Sequence, residues 1–496
     1  MNSDVYPRIR QFRLSNLSGA SRITNTTRAG WINDQSRRFL VGIASAVLMI
    51  SAHAFPAFPD DSIPNDQSHL QPIVNAGGKE LQLNWPMLHI GTAEYREGPT
   101  GVTVFRFGRK VLATMDVRGE PITANTEYMR LGRETPLYDA VVFSGGSAYG
   151  LESTPAVGTA MKDDQLRTGT LGDIALITGA IIYDLGDRRL NEVYPDKRLA
   201  QAAFRAAKES VFRIGSAGAG RMAKTGYFFG LNAHSGQGGA FYEKGGVKIA
   251  CFVINNALGV VTDRKGRIVA GYRDPSWPPD IDTAGLFEML LGAGSGSSAE
   301  LKPSQNTTIS LVVVNQKLSF GDLQRLATQV HTSMSRGLQP YATQWDGDVL
   351  FAVSTGEVDL PRDEKERSTA IAWLPAMTSE LMWDAILSSV PEQPQQPKPI
   401  ATTKPLPEKY AGSYRFSRFV TVDITAKDGK LFAQATGERD AYAIGRAKAV
   451  ELVPVSDLLD RFTIVPPSRY PLVLDFSTGA LVINPGLWAQ FSTKQQ

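Results

Sequence analysis

The chain has 496 residues, of which 42% are hydrophobic and 20% charged, a globular composition with room for one large domain and a smaller one. A single cysteine, Cys251, excludes an intrachain disulfide framework, and five scattered histidines without a His-Glu-x-x-His pair argue against a zinc hydrolase. The net charge of +3 sits at the amino end: residues 1–54 hold seven arginines against Asp4 and Asp34, a local +5 that leaves −2 for the rest. No basic stripe remains on the body, so nucleic acid is not an expected partner.

Residues 1–54 read as an export signal. Arg37-Arg38 precede the apolar run Phe39 to Ile50, and Ser51-Ala52-His53-Ala54 supplies a small-x-small cleavage site after Ala54. The apolar run is shorter than the roughly 20 residues of a spanning helix. A periplasmic or secreted protein, with no membrane contact after signal removal, is expected. The twin-arginine and general routes both stay open.

Within residues 55–390 the pattern alternates between helix and strand. Lys197 to Arg213 carries helical spacing, Val247 to Asn255 is β-rich, and Thr308 to Val314 reads as a buried strand. Ser319-Phe320-Gly321-Asp322 opens a helix with Leu323, Leu326, Val330, Met334 and Leu338 on one face. Asp348 to Ser354 is a further strand and Thr378 to Val390 a further helix. The Pro/Gln segment 391–400 reads as a stiff linker. In residues 401–496, alternation over Val420 to Thr425 before Asp428-Gly429 predicts a hairpin, and two strands flank Thr478-Gly479. The whole predicts a mixed α/β domain followed by a small all-β domain.

Three motifs carry little chemistry. Gly215 to Gly220 lacks the lysine and hydroxyl of a P-loop and reads as close backbone packing. Gly145-Gly146-Ser147-Ala148-Tyr149 lacks the second glycine of a nucleophile elbow, which leaves Ser147 a weak candidate. Lys224-Thr225-Gly226 matches one penicillin-binding motif without its Ser-x-x-Lys partner and reads as chance. More informative is the Gly/Ser-rich run Gly292 to Ser298, leading through Asn306 into a strand that starts with Thr307 and Thr308. If the bond before Thr307 breaks, the new terminus offers a hydroxyl nucleophile and an α-amine base. That amine titrates near 7.7–8.0, so a useful fraction is neutral at pH 7.

Six segments in order resemble the DmpA/β-aminopeptidase family of autoprocessed N-terminal-nucleophile peptidases. They are Val142 to Leu151, Ile182-Tyr183-Asp184, Gly215 to Gly220, Val253 to Ala257, Asn306-Thr307-Thr308 and Asp346-Gly347-Asp348. The resemblance, spanning roughly Gly91 to Val390, implies a four-layer α-β-β-α sandwich of the DmpA/ornithine acetyltransferase type, cleaved between 306 and 307. It implies Thr307 as nucleophile, Asn256 and Tyr183 as oxyanion donors, and Asp346 and Asp348 as the polar pair beside the nucleophile. The best-known members carry Ser and Glu at that pair and Gly before the cut, so Asp346 brings a second charge and Asn306 predicts slower processing.

The activity implied is hydrolysis of the amide after the amino-terminal residue of small peptides, or of amino-acid amides and esters, of L-, D- or β-configuration. No cofactor or metal is expected. The two fragments should stay associated, and a homo-oligomer is expected. The alternatives are acyl transfer of the ornithine acetyltransferase type and a non-catalytic, uncleaved binding protein. The β domain resembles, through Tyr410 to Tyr414, small domains appended to penicillin-binding-type hydrolases.

Overall fold

The computed structural model describes residues 67–273, 276–292, 306–401, 405–406, 408–455 and 460–495. The export signal and nearly all of the Gly/Ser run lie outside these residues.

Runs of β-branched and aromatic residues build an 11-stranded sheet system whose main path orders Gln237–Lys244, Val247–Asn256, Thr307–Gln316, Val349–Val358, Thr100–Val117, Tyr138–Ser144, Ile177–Ile181 and Thr123–Ala124. The 18-residue strand Thr100–Val117 belongs to both halves: Leu112 to Val117 pairs with Val349 to Ser354, whereas Val102 to Val111 pairs with the Tyr138–Ser144 strand. One core cluster joins the halves through Phe105 and Phe143 on one side and Phe252, Leu311 and Phe351 on the other. Phe105 lies 4.9 Å from Phe252, ring centre to ring centre.

The Thr307–Gln316 strand is buried along its whole length. Ile309, Leu311 and Val313 enter the central cluster. Val312 and Val314 pack instead with Leu326 and Val330 of the helix Phe320–Ser333 and Met382 and Ile386 of the helix Glu364–Ser388. A strand apolar on both faces must sit between two packed surfaces, each buried side chain contributing about 1.5–3 kcal/mol. On the other half, Ala93, Val102 and Val142 pack against Val157 and Leu199 from the helices Ser153–Asp163 and Lys197–Arg205.

Two helices differ from expectation. The first stops at Arg205, because Val211 to Ile214 is taken as an edge strand by Lys79–Gln82. The last begins at Glu364, where the Asp363 side chain caps it through Glu366 N, and it runs through Pro375. Ser319 caps its helix as expected, accepting from Asp322 N. The Gly215 to Gly220 stretch is a packing element: a Cβ on Gly220 would come within 2.4 Å of Gln237 N.

A nine-stranded antiparallel sheet occupies Gly412 to Lys494, with the hairpin Val420–Lys427 and Lys430–Gly437 turning at Asp428-Gly429. The strands at its two ends, Gln490–Phe491 and Thr493–Lys494, are consecutive in the chain, so the sheet curls nearly into a ring. Segment 391–400 is strapped to the body rather than spaced from it. Prolines leave it few N–H groups, and glutamines replace them: Gln393 Nε2 donates to His234 O and Gln396 Nε2 to Arg469 O.

Candidate active site

Strand register sets the site. Thr307 stands opposite Asn256 and Thr308 opposite Asn255, while Asn306 bridges to Asp346 on the parallel neighbour. The structure thus brings Thr307, Asn256, Asp346 and Asp348 to one end of three adjacent strands. The Thr307 hydroxyl donates to the carbonyl oxygen of Asn306 at 2.5 Å, and Gly347 N–H donates to the same oxygen at 3.2 Å. Gly347 is needed there, because a Cβ would lie 2.9 Å from Thr307 Oγ1.

Asn256 is fully buried, and its amide is oriented by what surrounds it. Its Oδ1 accepts from Arg188 Nη1 at 2.6 Å and from Lys224 N at 3.1 Å; its Nδ2 donates to Tyr183 O at 3.3 Å. Tyr183 therefore meets Asn256 through its carbonyl. Its phenol lies over the following turn, where a Cβ on Gly186 would come 2.2 Å from the hydroxyl oxygen. Burial, then the Asp187 carboxylate, raises the pKa of that phenol above its ordinary value, making it a weaker acid.

The two aspartates are buried and held mainly by backbone donors. Asp348 accepts from Thr308 N at 2.9 Å and Ala342 N at 3.2 Å, and Asp346 from Leu258 N at 3.3 Å. Neither has an ion-pair partner among the described residues. Burial pushes the Asp348 carboxyl up to about 7, against which its backbone donors pull. Burial and the neighbouring Asp348 charge drive Asp346 well above the carboxylate range. Carboxyls so placed are proton-holding groups near neutrality.

Two basic residues that the sequence reading did not select join the site. Arg188, 4% exposed, spans Asn256 and the side chain of Asn306, donating to Asn306 Oδ1 at 2.7 Å. The arginine pair after Tyr183-Asp184 was its one signal in the sequence. Lys224 follows a glycine-rich turn, and its ammonium is lowered to about 8, mainly by burial and then by Arg188. The Lys224-Thr225-Gly226 match, set aside as chance, thus falls at the site for a different reason. Ser147 sits in a short 3-10 turn after Gly146, its N–H donating to Ile182 O at 3.0 Å, and makes no contact with Thr307 or Asn256 among the hydrogen bonds of the described residues. Among the described residues no three His, Cys, Asp or Glu side chains group as a metal site would require.

The carboxy-terminal sheet meets the site through the turn that carries Arg188. Tyr442 OH donates to Arg188 O at 3.0 Å, Arg439 Nη1 to Gly186 O at 2.5 Å, and Leu190 N to Gln490 Oε1 at 2.8 Å. A cavity of about 1120 Å³ lies between the two parts, with Arg188 and Lys224 on one wall and Tyr442, Arg469 and Trp488 on the other.

Comparison with known proteins bears on this geometry. The model of peptidase family S58 matches residues 86–395. The 6-aminohexanoate-oligomer endohydrolase of Paenarthrobacter ureafaciens is 36% identical over 331 residues, covering 66% of this chain and 90% of that protein. An uncharacterized aminopeptidase of Mycobacterium leprae is 30% identical over 275 residues, covering 52% and 72% of the two chains. Among solved structures, a Burkholderia sp. β-aminopeptidase aligns over 63% of this chain and 88% of its own, with a TM-score of 0.44 and 16% identity.

Proposed function

Because this chain belongs to peptidase family S58 and is a hydrolase of the N-terminal-nucleophile type, we propose that it matures by cutting itself between Asn306 and Thr307 and then hydrolyses short linear amides. The observation that carries this reading is the Thr307 hydroxyl at 2.5 Å from the Asn306 carbonyl oxygen, which also accepts from Gly347 N–H. In the precursor, Thr307 Oγ1 bonds to the Asn306 carbonyl carbon while Gly347 N–H supports the oxygen that becomes negative. The C–N bond then breaks, the nitrogen takes the proton, and water cleaves the resulting ester. A carboxylate at Asn306 and a free α-amine at Thr307 remain.

In turnover that amine accepts the hydroxyl proton, Oγ1 attacks the substrate carbonyl, the amine returns the proton to the departing nitrogen, and water, deprotonated by the same amine, cleaves the ester to release the acid and restore the hydroxyl. Asn256 Nδ2 and the Tyr183 phenol are the proposed donors to the oxyanion, each such donor contributing about 10²–10³ in rate. Asp346 and Asp348 hold the Thr307 amine or a substrate ammonium. The relative from Paenarthrobacter acts, by its name, on 6-aminohexanoate oligomers, which favours linear amides with an amino terminus as substrates. The core clusters support a four-layer arrangement, helices outside two facing sheets, into which both fragments insert. Phe105 and Phe252 precede the cut and Leu311 and Phe351 follow it in one cluster, so the fragments stay together. Export through residues 1–54 and assembly of several copies complete the proposal.

Intact-mass analysis of the purified protein tests it. Two chains, the second beginning at Thr307, with amide turnover that Thr307→Ala abolishes, are expected. An unbroken chain with full activity overturns the reading, and release that depends on added ornithine reassigns the chemistry to acyl transfer.

A further inference from the structure

The family match ends at residue 395, so the nine-stranded sheet that closes the cavity is an addition to the family's domain. Its wall has a consistent chemistry. Tyr442, Tyr470 and Trp488 line it with aromatic surface, and Trp488 stacks on His234 at 3.8 Å between ring centres. Arg469, on the same wall, is half-buried. Its Nε donates to Tyr272 O at 2.9 Å, its guanidinium lies 5.2 Å over Trp277, and it has no carboxylate partner among the described residues.

Lys224, on the facing wall, is likewise half-buried, with no carboxylate partner among the described residues and its ammonium 5.8 Å from the Tyr442 ring. The lining acids Asp187 and Glu392 sit at exposed positions. Half-buried cations without counter-ions favour an anion, and a guanidinium can hold a carboxylate through two N–H groups. Across the site Asp346 and Asp348 cluster on the Thr307 strand ends with no cation of their own among the described residues, so an incoming ammonium would supply the missing counter-charge and draw off a proton. An ammonium is favoured there.

We propose that the carboxy-terminal sheet forms the outer wall of the substrate chamber, and that Arg469 with Trp488 receives the leaving-group end of a short zwitterionic oligoamide, its free carboxylate on Arg469 and its apolar stem on Trp488. This rests on the hydrolase reading for its substrate, but the chamber's preference for a carboxylate is measurable without turnover. Arg469 is a specificity residue, distant in sequence from every group that touches the reacting bond.

The test uses the native full-length chain in two arms. Calorimetry compares 5-phenylpentanoate with 5-phenylpentanamide, neither of which has an amino terminus to hydrolyse. Kinetics compare trialanine with its carboxy-terminal amide. The acid is expected to bind about tenfold tighter than the amide, and trialanine to show about a tenfold lower KM than its amide. Arg469→Gln should erase both preferences while leaving kcat within about twofold, and Arg469→Lys should keep part of them. Trp488→Ala should weaken acid and amide alike. Equal binding of acid and amide by the native chain, or a preference that survives Arg469→Gln, overturns the proposal, and the native comparison decides even if the variant does not fold. A native chain that prefers the acid yet hydrolyses neither peptide supports the chamber and counts against short α-peptides as the proposed substrates.

Discussion

Asp184 and the Asp346–Asp348 pair are all fully buried, yet they are built on opposite terms. Asp184 accepts from Thr100 Oγ1 at 2.6 Å, Gly146 N at 2.8 Å and Arg189 Nη2 at 3.0 Å, and that arginine is itself satisfied by Asp184 O and Gly98 O. Every charge there has an opposite and every donor an acceptor. Asp346 and Asp348 have peptide N–H groups and each other. Burial by itself therefore does not separate a structural acid from a chemical one. The partner set does: a neutralised carboxylate fixes a turn, and one left without a cation keeps its proton available near pH 7.

The largest expected effect is on the chemical side. Thr307→Ala should leave one chain and lower amide turnover by at least about 10⁴-fold, as loss of a nucleophile does elsewhere, read by intact mass and initial rates. On the structural side, Asp184→Asn leaves Arg189 buried without its counter-charge and should cost about 3–5 kcal/mol in urea unfolding, with processing impaired only as far as folding is.

A smaller effect separates the two sites by pH. The folded-state value of Asp348, about 7, lies above the roughly 3.9 of an unfolded chain. Between those values the native state binds more protons than the unfolded one. Stability should therefore fall as pH rises from about 4 to 7 and level off above. Urea midpoints of the unprocessed Thr307→Ala chain should show this decline, and adding Asp346→Asn together with Asp348→Asn should flatten it. A decline that persists would move its origin away from the pair. Least of all, Arg418→Ala removes an exposed, solvent-screened ion pair with Glu192 and should leave the urea midpoint essentially unchanged.

How much of this was legible in the sequence depends on range. The Ser319 cap, the Asp428-Gly429 turn and the buried strand after Thr307 are local patterns, and each stands where its residues placed it. The helix that stops at Arg205 shows the limit, since its continuation yields to pairing with Lys79–Gln82, over 120 residues away. The same holds at the site. Thr307, Asn256, Asp346 and Asp348 were named from motif order. Arg188 and Lys224 were not, because what singles them out is contact with Asn256, and no spacing encodes it. Tyr183 illustrates the reverse, a residue named for its phenol that touches Asn256 through its backbone. Nor does a proline-rich segment announce that its glutamines will strap it to His234 and Arg469.

The grip of Tyr442 on the carbonyl of Arg188, across 254 positions of chain, has a bearing on timing. A ribosome makes Arg188 and Asn306 long before it makes Tyr442, Arg439 and Gln490. The arginine that joins Asn256 to Asn306 acquires these braces only after the carboxy-terminal sheet has been made. A truncated or half-threaded polypeptide would carry all the reacting atoms and lack the clamp that sets them. The proposed scission would then report that the carboxy-terminal sheet has been made and docked.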